Sequence, residues 1–171
     1  VTQPSFPANS LREMIALVKA NPDKHNFAGS GNGTTQHLAG ELLKMQAGLD
    51  IKFIPYAGST AALTDLMAGR ISYAFETIAT VLPLIQAGKL KAIAVSSLKR
   101  SSQLPDIPTV AEAADLPDFN VVAWIGLVAR AGTPPDITSR LAAEARKALR
   151  SPELRDRYQT LGMEPVSSSP A

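Results

Sequence analysis

Two segments of this sequence carry residues suited to holding an anion: Ser30-Gly31-Asn32-Gly33-Thr34-Thr35 and Tyr56-Ala57-Gly58-Ser59-Thr60-Ala61. Each combines glycine, which lets a backbone approach a bound group closely, with hydroxyls that donate or accept hydrogen bonds. Neither contains lysine or arginine. Both read as junctions between the end of a strand and the start of a helix. A helix start offers unpaired N–H groups and a partial positive charge of roughly half an elementary charge. That combination suits a carboxylate held by neutral donors. The same residue types also build ordinary turns and N-caps, and at this level both readings stand. Glu76 and Thr77 follow a third apolar stretch in the same way and join the candidate set; Glu76 also reads as a cap or a solvated side chain.

Other chemistries fit less of the pattern. Gly29-Ser30-Gly31 supplies two glycines of a dinucleotide fingerprint, but Thr34 stands in the third place. Asp50 opens the next expected strand, whereas a ribose-binding acid belongs at a strand's C-terminal end. His37 and Glu41 lie four apart on one expected helix, which is two ligands without a third. A histidine in the first helical turn and a solvated glutamate is the simpler reading. There are no cysteines, which excludes thiolate metal sites, cysteine nucleophiles and disulfides. No serine–histidine–aspartate set has a local signature. No cofactor and no enzymatic activity are expected; a phosphate- or nucleotide-binding α/β enzyme is the competing reading.

The elements that must position these loops follow from periodicity and punctuation. Ser10 and Glu13 predict a capping box ahead of a helix with Leu11, Met14, Ile15 and Val18 on one face. Strands are expected at Asn26–Ala28, Asp50–Pro55, Ile71–Phe75, Leu90–Ser96 and Val121–Ala129, the last with Trp124 in the core. Helices are expected after Thr35 to Ala47, with Leu38, Leu42 and Met45 on one face, and over Ser59–Ala68 and Ile78–Ala87. A short helix follows Thr109. Thr133 and Ser151 are expected to cap two last helices with proline at their starts. The tail from Val166 to Ala171 reads as frayed. Strand–loop–helix alternation predicts an α/β fold with a largely parallel sheet flanked by helices.

Length and charge bound the rest. The chain has 171 residues, enough for one compact domain or one domain and part of another. Net charge is +2 with no basic cluster, so no nucleic-acid partner is expected. No apolar run is long enough to span a membrane. The opening at Val1 reads as mid-sequence, and a processed or truncated product is expected.

An ordered series of motifs resembles the TctC/Bug family of tricarboxylate-type transport receptors. It comprises Ser30-Gly31-Asn32-Gly33-Thr34, His37-Leu38-Ala39-Gly40-Glu41, Pro55-Tyr56-Ala57-Gly58-Ser59 and Ala62-Leu63-Thr64-Asp65-Leu66. Ala87-Gly88-Lys89-Leu90, Leu104-Pro105-Asp106-Ile107-Pro108-Thr109 and Ala131-Gly132-Thr133-Pro134-Pro135 continue it. The resemblance implies a type II periplasmic-binding-protein-like lobe in a two-lobed receptor. It implies a periplasmic solute-binding protein that passes a small carboxylate to tripartite tricarboxylate transporter subunits or to a sensor kinase. The ligand-binding loop it implies is Tyr56 through Ala61, with Ser30 to Thr35 lying beside it; Glu76 stands where aspartate or a small polar residue is expected. Residues 1–25 then lead into the lobe, 26–120 form the ligand-binding lobe, and 121–171 rejoin the other lobe, whose first strand and glycine-rich loop lie upstream of Val1. Surfaces left bare by that truncation are expected to pair in a homodimer. The effector domain of a transcription regulator, which shares the fold, is a further reading.

Overall fold

The structure, a computed structural model, describes residues 1–168. Ser10 starts α1 (Leu11–Ala20) by accepting the Glu13 N–H at 3.2 Å. The expected return bond is displaced by one residue, because the Glu13 carboxylate takes the N–H of Asn9 at 2.7 Å. A 3₁₀ turn (Pro22–Lys24) leads into β1 (Asn26–Gly29), α2 (Thr35–Ala47), β2 (Lys52–Pro55), α3 (Ser59–Met67), β3 (Tyr73–Ala74) and α4 (Ile78–Gln86). The short α5 (Val110–Ala114) and then α6 (Pro135–Leu149) and α7 (Pro152–Thr160) follow.

The three strands form one parallel sheet in the order β2-β1-β3. Phe27 lies opposite Phe53 and Tyr73, and Ala28 opposite Ile54 and Ala74. Because strand side chains alternate in direction, these two rows build two cores. Phe27 and Tyr73 pack with Met14 and Val18 of α1, Leu43 of α2 and Val110 of α5. Ala28 and Ala74 pack with Ala62, Leu63 and Leu66 of α3 and Val81 of α4. Both faces of the sheet are therefore covered, as a parallel sheet requires.

The Phe27 ring decides how α2 sits. It stacks on Tyr73 at 5.6 Å between centroids and tilts against Phe53 at 5.0 Å. A Cβ on Gly40 would run into it. The helix therefore turns Ala39, Gly40 and Leu43 inward. Leu38 and Met45, expected on the buried face, are 54% and 76% exposed.

Two expected strands are not formed. In 90–96, only Lys91 and Val95 make bridges, to Thr2 and Thr109. The partners change midway, so no ladder develops. The first two residues enter here: Val1 exchanges both backbone bonds with Ala74 (2.9 and 3.0 Å), and Thr2 exchanges both with Lys91 (2.9 and 2.8 Å). Residues 121–129 contain no strand either. The Val121 N–H reaches the Ser96 carbonyl at 2.9 Å, and among the described residues no ladder continues from it. Trp124 is accordingly 83% exposed instead of lying in a core.

The chain divides into two compact units, 1–123 and from Trp124 onward. In the second, Thr133 does not cap α6; its hydroxyl donates to the Arg130 carbonyl at 2.7 Å, and Pro135 opens the helix. Ser151 does cap α7, accepting the Leu154 N–H at 3.4 Å. Residues 166–168 lack regular structure; the remainder of the expected frayed tail lies outside the described residues.

Candidate functional site

Parallel strands put all their C-terminal ends on one sheet edge. The loops 30–34, 56–58 and 75–77, and the starts of α2, α3 and α4, therefore share that edge. The chain passes from β1 to β2 on one side and then to β3 on the other, so its order reverses at β1. Ligands of open α/β sheets gather where such a reversal opens a crevice. Two hydrogen bonds tie the loops together. The Tyr56 N–H donates to the Gly29 carbonyl at 3.0 Å. The Ser59 hydroxyl donates to Glu76 Oε2 at 2.9 Å. The Gln36 side chain also faces Glu76 from α2.

The three helix starts differ in what they leave free. That of α2 is closed on itself. Thr34 Oγ1 accepts the His37 N–H at 3.4 Å while its own hydroxyl donates to the Gly31 carbonyl at 2.9 Å. The Gly33 N–H donates to His37 Nδ1 at 3.0 Å, and the imidazole lies on the Phe53 ring at 4.1 Å. Gly31 and Gly33 have φ of 119° and 75°, a left-handed region that favours glycine. Asn32 projects, exposed, from the tip; Ser30 and Thr35 flank the turn, partly buried.

The starts of α3 and α4 are open. Their N-cap residues, Gly58 and Thr77, make no side-chain cap bond. The first-turn N–H groups of α3, on Ser59, Thr60 and Ala61, thus have no cap to satisfy them. Gly58 has a φ of 168°, extended backbone that any residue adopts. Its contribution is space instead, since a Cβ there would meet nothing within 4 Å. The Tyr56 hydroxyl is turned away, donating to Asp65 Oδ2 at 2.7 Å, with Arg70 on the other Asp65 oxygen at 2.7 Å. Tyr56 and Ala57 therefore bring backbone to the loop. Thr77 Oγ1 shares a hydrogen bond with Thr80 Oγ1 at 2.8 Å.

Glu76 sits at the end of β3, partly buried, with Oε1 out of contact with solvent and without a hydrogen-bond partner. Burial pushes its carboxyl above the usual glutamate range, against the opposing pull of Ser59, Gln36, the Val1 amino group and the Thr77 backbone. His37 Nε2 is 4.0 Å from Glu41 Oε1, and among the described residues no three histidine, aspartate or glutamate side chains converge on a metal position. The sequence reading passed over Gln36 and the bond of His37 to Gly33. The Thr34-to-His37 spacing, an N-cap and its third helical residue, was the available signal for the latter.

A doubly covered parallel sheet with helix starts gathered at its strand ends is the architecture of a periplasmic-binding-protein lobe, and solved structures of that class superpose on this chain. "R. palustris Rpa4515 with adipate" does so at a TM-score of 0.89 and 31% identity, over 98% of this chain and 56% of that one. "MatC (Rpa3494) from Rhodopseudomonas palustris with bound malate" follows at a TM-score of 0.83 and 34% identity, over 94% and 54%. Residues 1–170 match the model of the tripartite tricarboxylate transporter family receptor, TctC, and the chain belongs to that family. Among curated relatives, a UPF0065 protein from the tcbD-tcbE intergenic region of Pseudomonas sp. strain P51 is 40% identical over 96% of this chain and 50% of its own length. Protein BugT of Bordetella pertussis is 35% identical over 99% of this chain and 52% of its own. The chain thus spans about half the length of these two relatives.

Proposed function

We propose that this chain forms the ligand-binding lobe of a periplasmic receptor that captures a small carboxylate for a tripartite tricarboxylate transporter. The observation that carries this reading is the uncapped start of α3 behind Gly58, at a sheet edge whose loops hold no cation. A carboxylate oxygen there would accept the Ser59, Thr60 and Ala61 N–H groups and the local hydroxyls. The adipate and malate in the names of two structural relatives support that ligand class. Residues 30–35 border the site, and Glu76 and Thr77 close its β3 side. Residues 121–171 belong, in this reading, to the second lobe of a two-lobed receptor. Transporter subunits or a sensor kinase are the downstream partners.

One lobe alone offers a carboxylate a few hydrogen bonds, each about 0.5–1.5 kcal/mol net, against the cost of immobilising the ligand. The 171-residue chain should therefore bind weakly. Titrating it with adipate, malate and ATP while following backbone amide resonances tests the reading. Shifts confined to 56–61 and 76–80 with either dicarboxylate are expected, with dissociation constants around millimolar. A response to ATP alone, centred on 29–35, would replace this reading with a nucleotide-binding one.

A further inference from the structure

The bond between Ser59 and Glu76 has a consequence for what enters the site. We propose that a carboxylate ligand and a proton bind together: the ligand takes the Ser59 hydroxyl hydrogen, and Glu76 takes a proton from solvent and donates it to Ser59 Oγ. This rests on the carboxylate reading of the α3 start given above.

A serine hydroxyl has one hydrogen and two lone pairs. In the free chain that hydrogen is committed to Glu76 Oε2 at 2.9 Å. An incoming carboxylate is an acceptor only, and so is an ionised Glu76. Both require the same hydrogen. If the ligand takes it while Glu76 stays ionised, a partly buried oxygen loses its donor beside a second negative charge. A protonated Glu76 removes the conflict, because its O–H donates to Ser59 Oγ and the serine hydrogen turns to the ligand. No covalent bond to carbon forms or breaks. For the carboxylate group bound at α3, one negative charge and one proton enter, so the charge at that end of the site is unchanged.

The surroundings of Glu76 favour this exchange. Four groups face it: Ser59 from α3, Gln36 from α2, the backbone of Thr77 at the start of α4, and the Val1 amino group beside β3. No lysine or arginine lies in the three loops to hold Glu76 ionised once a ligand arrives. Burial already weights it toward the neutral form. The Val1 amino group is itself lowered to about 6 by burial, so its own titration falls at the lower pH of any comparison and must be separated from that of Glu76.

The test titrates the 171-residue chain, Glu76→Gln and Ser59→Ala with adipate at about pH 6 and about pH 8, both above the carboxylic-acid range. Amide shifts report binding, and the Glu76 side-chain carbon reports its protonation. Wild type is expected to bind about tenfold more tightly at the lower pH, with the Glu76 titration midpoint moving up on saturation. Glu76→Gln keeps the Val1 titration but carries an amide that donates to Ser59 permanently. It should bind at both pH values about as wild type does at the lower one. Ser59→Ala should bind weakly at both. Equal wild-type affinity at the two pH values with an unmoved Glu76 midpoint overturns this inference and leaves the carboxylate site standing. So does pH dependence that persists in Ser59→Ala, or that is equal in Glu76→Gln. Absence of adipate shifts in 56–61 at both pH values overturns the site itself, and this inference with it.

Discussion

At the scale of single residues, the site depends on what is missing as much as on what is present. Gly58 leaves open space over the start of α3, in a backbone conformation that does not require glycine. Gly58→Val should therefore keep the fold and fill the space a ligand needs. Unchanged circular dichroism with lost adipate shifts is the expected result; retained binding would move the anion site elsewhere. Cations contribute little in this reading. Lys52 begins β2, three residue steps before the loop edge, or about 10 Å at the rise of a strand. That exceeds the Debye length at physiological salt, about 8 Å. Lys52→Gln and Lys89→Gln should each change affinity by less than about threefold, and a hundredfold loss would misplace the pocket. A different carboxylate governs acid behaviour. The Thr109 N–H, and then Arg100, hold Glu112 below its usual 4.5. Its contribution is complete above that value and is lost as pH falls through the lower folded value. Glu112→Gln should flatten the acid limb of the stability curve measured by denaturant unfolding, with little change in relative slope near neutrality.

Local chemistry made most elements legible, and partner-dependent chemistry hid the rest. Helix starts such as Ser10, Thr109 and Ser151 are announced by residues within four positions of one another. Glycines 48, 69 and 88 end or follow helices in left-handed conformation. A strand, by contrast, exists only if a neighbour runs beside it. The apolar run at 90–96 and that at 121–129 look like strands as strings, yet bridges or no ladder at all are what their surroundings supply. The buried face of α2 was hidden for a similar reason, since the Phe27 ring selects Gly40 from across the sheet. The loops of the site could be read from strand–helix junctions, but not the commitment of the Ser59 hydroxyl, which is decided by a residue 17 positions away. Two substitutions test this scale. Gly40→Ala drives a methyl group into Phe27 and should cost about 1–3 kcal/mol by denaturant unfolding. Thr109→Ala removes the α5 cap, whose Thr109 and Glu112 bonds measure 3.1 and 2.9 Å, and should cost about 1 kcal/mol; no loss would show that buried Val110 alone anchors the helix.

For the whole molecule, the segment after Val121 carries the longest exposed apolar run among the described residues. Leu127 and Val128 are 90% and 92% exposed, alongside Trp124 and Ile125. A contiguous apolar stretch with unpaired backbone recruits another surface. The 171-residue chain should self-associate, and light scattering across a concentration series should show dimers that Leu127→Lys disperses; a monomer at every concentration would rule this out. The stitch made by Val1 and Thr2 bears on something else, the order in which the molecule assembles. The pairings of β1 with β2 and β3 close loops of moderate length. Joining Val1 to Ala74 spans 73 positions, and joining Thr2 to Lys91 spans more. Closure entropy grows with loop length, and these late contacts are few. They should form after the three-stranded nucleus and open before it. In native-state hydrogen exchange, the amides of Thr2 and Lys91 should exchange through a partial opening that leaves Phe27 and Ala28 protected. The first residues of the chain would then act as a latch on a sheet that is already folded.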